Sequence, residues 1–157
     1  MLIHRDYSSP VGKLRLVASS TGLRAVLWEE DARYAFESKP ATSKLLTQVA
    51  KQLDEYFAGR RHAFDLPLDW RLSAGFRRTV LSHLPEIGYG HTASYSAVAQ
   101  LAGRPRAVRA VGTACATNPL PLVVPCHRVV RADGSMGGYR GGPEAKRTLL
   151  TLEEAAA

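Results

Sequence analysis

"TASYSAVAQLAGRPRAVRAVGTACATNP", residues 92–119, is the stretch on which the fold of this chain turns. It reads as a helix, a turn at Gly103 and a second helix, the outline of a helix-turn-helix. On a helical wheel for residues 106–115, Val108, Val111, Gly112 and Cys115 share one face, large and apolar enough to predict burial. Arg106, Arg109 and Thr113 fall on another face, and Ala107, Ala110 and Ala114 on a third.

Working upstream, "SAGFRRTVLSHLPEIGYG" (73–90) opens with a helix whose Phe76, Val80 and Leu84 align and which Pro85 ends. Before it, "RRHAFDLPLDWR" (60–71) has little periodicity and contains Pro67, so a linker is expected there. "TSKLLTQVAKQLDEYFAG" (42–59) carries Leu45/Leu46, Val49, Leu53 and Tyr56/Phe57 at helical spacing, with Thr42 or Ser43 as N-cap and Gly59 at the C-terminal end. "LIHRDY" (2–7), "KLRLVAS" (13–19) and "LRAVLWE" (23–29) are short, partly alternating runs separated by turn residues, as in an antiparallel meander. Downstream, "PLVV" (121–124) reads as buried and extended, residues 131–142 as a glycine-rich loop, and "PEAKRTLLTLEE" (143–154) as a closing helix with Pro143 in its first turn. The fold class is therefore α+β in two lobes. Residues 1–71 form an N-terminal antiparallel sheet with a helix and the linker, and residues 72–157 a mostly helical C-terminal lobe.

An apolar share of 45% and a charged share of 22% belong to a globular chain. No apolar run approaches the roughly 20 residues that cross a bilayer. "MLIHRDYSSP" has no signal-peptide h-region, so a cytoplasmic location without a membrane partner is expected. Two cysteines, Cys115 and Cys126, are too few for a disulfide framework. No Cys/His cluster stands at metal-ligand spacing, so neither a metal nor another cofactor is expected. The net charge of +7 is concentrated: residues 1–71 hold 11 Lys/Arg against 9 Asp/Glu, and residues 72–157 hold 10 against 5. A basic second half suits a polyanion, nucleic acid first, or simply a basic surface. The alanine face suits another helix or a nucleic-acid groove. Small side chains favour the minor groove, about 6 Å wide against about 12 Å for the major, and reading there is largely indifferent to sequence.

"LPLVVPCHRVVRADGSMGGYRGG" (120–142) puts Cys126 between Pro125 and His127. Only the thiolate is a nucleophile, and a free thiol holds its proton to a pKa of about 8.5, so a base is needed. Neighbours in an extended strand point to opposite faces, so the chain must turn after Pro125, or a water must join imidazole to thiol. His127 as a base needs an orienting partner, and Glu144, Glu153 and Glu154 in the closing helix are available. A buried structural thiol is the competing reading of Cys126, and the same reading fits Cys115 on its apolar face.

"VPCHRVV" followed by "GGYRGG", together with "IGYGHTASYSAVA", "RAVRAVG", "TNPLPLVVPCHR" and "KRTLLTLE", resembles the O(6)-alkylguanine-DNA alkyltransferases in unbroken motif order over residues 73–154. "SPVGKLRLVAS" and "YFAG" resemble that family's ribonuclease-H-like N-terminal domain. The resemblance implies irreversible, single-turnover transfer of an alkyl group from O(6)-alkylguanine, and also from O(4)-alkylthymine, in duplex DNA. Cys126 is the acceptor, with His127, through a water, and Glu153 as its proton relay. Tyr95 helps neutralise the leaving purine and meets the DNA backbone, Asn118 is a hinge, and Lys146 lies near the site. Arg109 fills the stack left by the flipped base, beside a DNA-facing surface of Arg106, Ala107, Ala110 and Thr113. Val129, Tyr139, Arg140, Pro121 and Cys115 surround the substrate. The implied partner is double-stranded DNA, bound in the minor groove without sequence preference by a monomer, with cooperative assembly on DNA left open.

Arg140 departs from family members that carry a small hydroxyl residue there. Zinc-bearing members place cysteines in the first lobe, and this chain has none there. Two other readings remain open from the residues themselves: a DNA-binding module without chemistry, and a cysteine hydrolase built on Cys126, His127 and a carboxylate.

Overall fold

The computed structural model describes residues 1–31 and 36–157, which divide into two compact units, Met1–Leu72 and Ser73–Ala157. The class is α+β. In the first unit β1 (Ile3–Ser9), β2 (Gly12–Ala18) and β3 (Leu23–Trp28) form the antiparallel meander. A two-residue β4 (Lys39–Pro40), absent from the sequence reading, adds in parallel beside β1, giving the order β3-β2-β1-β4. Helix α1 (Lys44–Phe57) starts where Ser43 Oγ accepts the Leu46 N–H at 3.0 Å, and it buries Leu46, Val49, Leu53 and Tyr56. One sheet face carries Val17, Ala25 and Leu27 against Leu2, Phe36 and Leu72; Leu14, Leu16 and Val26 on the other are also buried.

Residues 60–71, expected as the linker, carry pairings of their own to the first unit. Leu23 donates to Pro67 O at 2.9 Å and accepts from Asp69 N–H at 2.8 Å, so this segment extends the sheet at β3. Gly22 permits the approach, since a Cβ there would meet Pro67 O at 2.6 Å. Burial would raise the Asp69 carboxyl, yet the Ser19 hydroxyl, the Arg71 N–H and Arg24 hold it down at about 2.

The second unit holds α2 (Gly75–His83), β5 (Ala93–Ser94), α3 (Tyr95–Leu101), α4 (Val108–Ala116), β6 (Val129–Val130) and α5 (Pro143–Ala156). Helix α3, Gly103 and α4 form the helix-turn-helix, with Gly103 at φ +82° and α4 packed on both α2 and α3. The wheel needs correction: the helix starts only at Val108, so Arg106 and Ala107 precede it. The buried face of α4, which packs on α2 and α3, is Val111, Ala114 and Cys115, while Val108, at the very start of the helix, is 39% exposed. Residues 121–124 are a second correction: they form turns, not an extended segment, and the strand lies after the cysteine at β6. Its parallel pairing with β5 (Ala93↔Val129, Ser94↔Val130) sets the first residue of α3, Tyr95, beside the cysteine-bearing segment. No described helix is long and apolar enough to cross a membrane.

Candidate active site

Cys126 sits at the end of a tightly wound segment. Pro125 (φ −81°, ψ 67°) lets the Cys126 N–H reach back to Val124 O at 2.8 Å, an inverse γ-turn, and residues 126–128 continue as one 3-10 turn. Asn118, fully buried, braces this segment: its Nδ2 donates to Val124 O and its Oδ1 accepts from Leu120 N–H, both at 2.9 Å. Between them Leu122 holds φ +75°, the one non-glycine residue with positive φ among those described. A bulky side chain there is strained, and the surrounding burial holds it in place. The thiol itself is buried. Burial pushes it up to about 11, against the pull of Asn118 and Lys146 in the other direction, so at neutral pH it rests protonated.

His127 and Glu153 meet as the closing helix brings its last turns over the 3-10 turn. Glu153 Oε2 lies 2.6 Å from His127 Nε2, with both side chains buried. An ionised carboxylate only accepts, so Nε2 carries the hydrogen and Nδ1 is left as a lone-pair acceptor. Nδ1 is buried and has no hydrogen-bond partner within the protein. Burial lowers the imidazole pKa, with Glu153 opposing, so the neutral ring, the form that accepts a proton, is favoured. Arg128 completes the cluster: Nε and Nη2 donate to Glu153 at 2.8 and 3.2 Å, and Nη1 donates to Ile87 O at 2.8 Å.

Tyr95, Lys146 and Tyr139 converge on the same place. The Tyr95 hydroxyl pKa is raised by burial first and then by the two thiols, Cys115 and Cys126, so it remains a proton donor. Gly137, at φ +71°, passes so close that a Cβ would stand 2.8 Å from Tyr95 Oη. Lys146 is fully buried; its Nζ donates to Val129 O at 2.7 Å and Gly138 O at 3.3 Å, and burial lowers its pKa. The Tyr139 ring stands edge-on to His127, centroids 6.4 Å apart at 79°. Arg140 Nη1 donates to Asn118 O at 2.6 Å. Cys115 is buried in the last turn of α4, its thiol pushed up by burial and by Cys126, and Pro121 is buried in the turn before Cys126.

Arg106, Arg109, Ala107, Ala110 and Thr113 are not part of this cluster. Arg109 and Thr113 are exposed and Ala110 half-buried on the side of α4 away from Cys115, while exposed Arg106 and half-buried Ala107 lie in the turn and cap just before the helix. Thr113 Oγ1 folds back onto Arg109 O at 3.2 Å. Exposed Arg77, beside Ala110 and Thr113, and exposed Arg104, beside Arg106, add to this basic surface, Arg104 lying 4.9 Å over the Phe76 ring.

Two family models match the chain: the 6-O-methylguanine DNA methyltransferase ribonuclease-like domain over residues 2–70, and the DNA binding domain of the same name over residues 75–155. The chain belongs to the 6-O-methylguanine DNA methyltransferase family. It is 42% identical over 157 residues to the methylated-DNA–protein-cysteine methyltransferase of Mycolicibacterium paratuberculosis, covering 98% of this chain and 93% of that one. It is 37% identical to the protein of that name from Methanosarcina barkeri, covering 93% of each. Among solved structures, Mycobacterium tuberculosis O6-methylguanine methyltransferase superposes with a TM-score of 0.88 at 38% identity, covering 100% of this chain and 95% of that one. The same protein in complex with DNA matches at 0.88 and 39% identity, covering 98% and 94%. A hyperthermophilic archaeal O6-methylguanine-DNA methyltransferase, 24% identical with a TM-score of 0.71, shares the fold.

Within this 6-O-methylguanine DNA methyltransferase, sequence reasoning missed Arg128. It lies in the Cys126-His127-Arg128 run, but nothing in spacing says that its guanidinium turns inward to Glu153, 25 residues on. Gly90, whose N–H reaches Glu153 Oε1 at 3.4 Å, was also missed. Neither has a signal readable without the tertiary fold. Among the described residues no group of three His, Cys, Asp or Glu is placed to hold a metal.

Proposed function

We propose that this methyltransferase repairs DNA by transferring the alkyl group on guanine O6, or on thymine O4, to Cys126 Sγ, once per molecule. The carrying observation is His127: a buried imidazole with Nε2 fixed by Glu153 and Nδ1 open as an acceptor. Next to a thiol resting near 11, it is a base of defined tautomer. The Cys126 proton passes, through a water, to His127 Nδ1. Sulfur attacks the alkyl carbon, the bond from that carbon to the base oxygen breaks with its electron pair left on the base, and Tyr95 Oη donates a proton to the leaving base and regains one from solvent, as His127 later returns its own. The new thioether is stable, so sulfur is consumed.

A base stacked in a duplex is out of reach of a buried thiol, so the nucleotide flips into the pocket beside Val129, Tyr139, Pro121 and Cys115. Arg109 takes its place in the stack. The half-buried alanines press into the minor groove and the arginines around them bind phosphate, without sequence preference. The protein works as a monomer in the cytoplasm, where both thiols stay reduced, and the first unit serves as scaffold or assembly surface.

Intact-mass analysis after incubation with duplex DNA containing O6-methylguanine tests this. A gain of one CH2 on Cys126 and none in the Cys126→Ala variant is expected. Equal repair by Cys126→Ala, or product formation without a lasting adduct, overturns the reading in favour of a binding module or a hydrolase.

A further inference from the structure

Tyr139 is flanked along the chain by two anchor points, the Gly138 carbonyl that Lys146 grips and the Arg140 side chain that grips another main-chain carbonyl. On one side Lys146 holds Gly138 O at 3.3 Å and Val129 O at 2.7 Å, joining the loop to α5 and β6. On the other, Arg140 holds Asn118 O at 2.6 Å. Asn118 is the residue that braces the turn leading to Cys126, through Val124 O and Leu120 N–H, and its own N–H reaches Cys115 O at 3.3 Å. Arg140 thus fastens the wall of the pocket to the frame that carries the nucleophile. The loop has little stiffness of its own, with glycine at 137, 138, 141 and 142. Inside it, Gly142 N–H closes on Tyr139 O at 3.0 Å.

We infer that Arg140 is a positioning residue that sets how large an O6 substituent the pocket accepts, by tethering the Tyr139 wall to Asn118. The inference rests on the alkyl-transfer reading above. With the tether in place the wall stays close to His127 and a small alkyl group is held firmly against the thiol. With it released, the glycine-rich segment swings more freely, a methyl group is held less well, and a bulky group gains room.

The test uses Arg140→Met, which keeps the aliphatic stem and removes the donors, and Arg140→Lys, which keeps a cationic donor. Single-turnover rates are measured on one duplex carrying O6-methylguanine or O6-benzylguanine. Arg140→Met is expected to raise the benzyl-to-methyl rate ratio roughly tenfold, the worth of one charge-assisted hydrogen bond. Arg140→Lys is expected to stay within about threefold of the parent chain, since one donor remains. Hydrogen exchange at the Gly142 amide reads the tether without any chemistry, and it should speed up roughly tenfold in Arg140→Met by the same bond. An unchanged ratio, unchanged exchange, or an Arg140→Lys variant that behaves like Arg140→Met overturns the inference. If the parent chain forms no adduct with either DNA, the alkyl-transfer reading falls and the size-setting role with it, while the exchange measurement still decides whether Arg140 holds the loop.

Discussion

Replacing Glu153 by Met removes the acceptor of two buried groups at once. Arg128, 6% exposed, keeps only the Ile87 carbonyl at 2.8 Å and the face of Tyr89, 5.7 Å from its Cζ. His127 Nε2–H loses its partner at 2.6 Å. Deleting one member of a buried ion pair costs about 3–5 kcal/mol, so a loss of about 4 kcal/mol is expected for Glu153→Met. Arg128→Met leaves Glu153 held by His127 and the Gly90 amide, and about 3 kcal/mol is expected. The double variant leaves no buried charge of the pair uncompensated. It should lose about 4 kcal/mol, no more than Glu153→Met by itself, a coupling of about 3 kcal/mol. Urea unfolding followed by far-UV circular dichroism reads this, because α2 to α5 lie in the second unit whereas Trp28 and Trp70 both lie in the first. Losses that simply add in the double variant refute the pairing argument. The rate separates stability from chemistry. His127 still lacks the acceptor that fixes its tautomer, so transfer in the double variant should stay about 10²-fold slow even where it is fully folded. Recovery of the rate refutes the role given to Glu153.

Two further outcomes are expected. The Cys126 thiol sits above the working pH, pushed up to about 11 by burial, so its thiolate fraction grows as pH rises towards that value. In a His127→Gln variant, which lacks the base, reaction with a free O6-alkylguanine base should rise about tenfold per pH unit between neutrality and pH ~10, and a flat profile contradicts the assigned resting state. Arg109→Ala should slow transfer from duplex DNA by about 10-fold or more while leaving reaction with the free base unchanged, since the side chain acts on the stack and not on sulfur; equal loss on both substrates contradicts that role.

Much of the fold was legible because its signals are local. Ser43 capping α1, Gly103 breaking the helix-turn-helix and Pro143 opening α5 are each set by the chemistry of one residue and its neighbours. The errors were of another kind. "PLVV" is apolar enough for a buried strand, but the pull of Asn118 on Val124 O and Leu120 N–H winds it into turns. Within residues 60–71, Pro67 to Asp69 take their pairing from Leu23, a partner that local periodicity does not reveal. On α4, which apolar residues are buried depends on where α2 and α3 lie, and a wheel does not contain that information.

The site divides in the same way. In the proposed chemistry, a thiol at Cys126 with an imidazole beside it is readable from residue type, whereas Glu153, one of three carboxylates in the closing helix, is singled out only by the resemblance. The sequence by itself determined the inventory: a thiol beside an imidazole, a basic second half, a glycine-rich loop and a carboxylate in the closing helix. The tertiary structure decided what these groups are. Burial makes Cys126 a protonated thiol at rest. A carboxylate 26 positions away selects one nitrogen of His127. Arg128, which the sequence did not single out, turns inward to Glu153, and Arg140, expected at the pocket, reaches the Asn118 carbonyl. Solvation and long-range hydrogen bonding depend on which distant segments close over a residue, and only the folded chain brings those segments together.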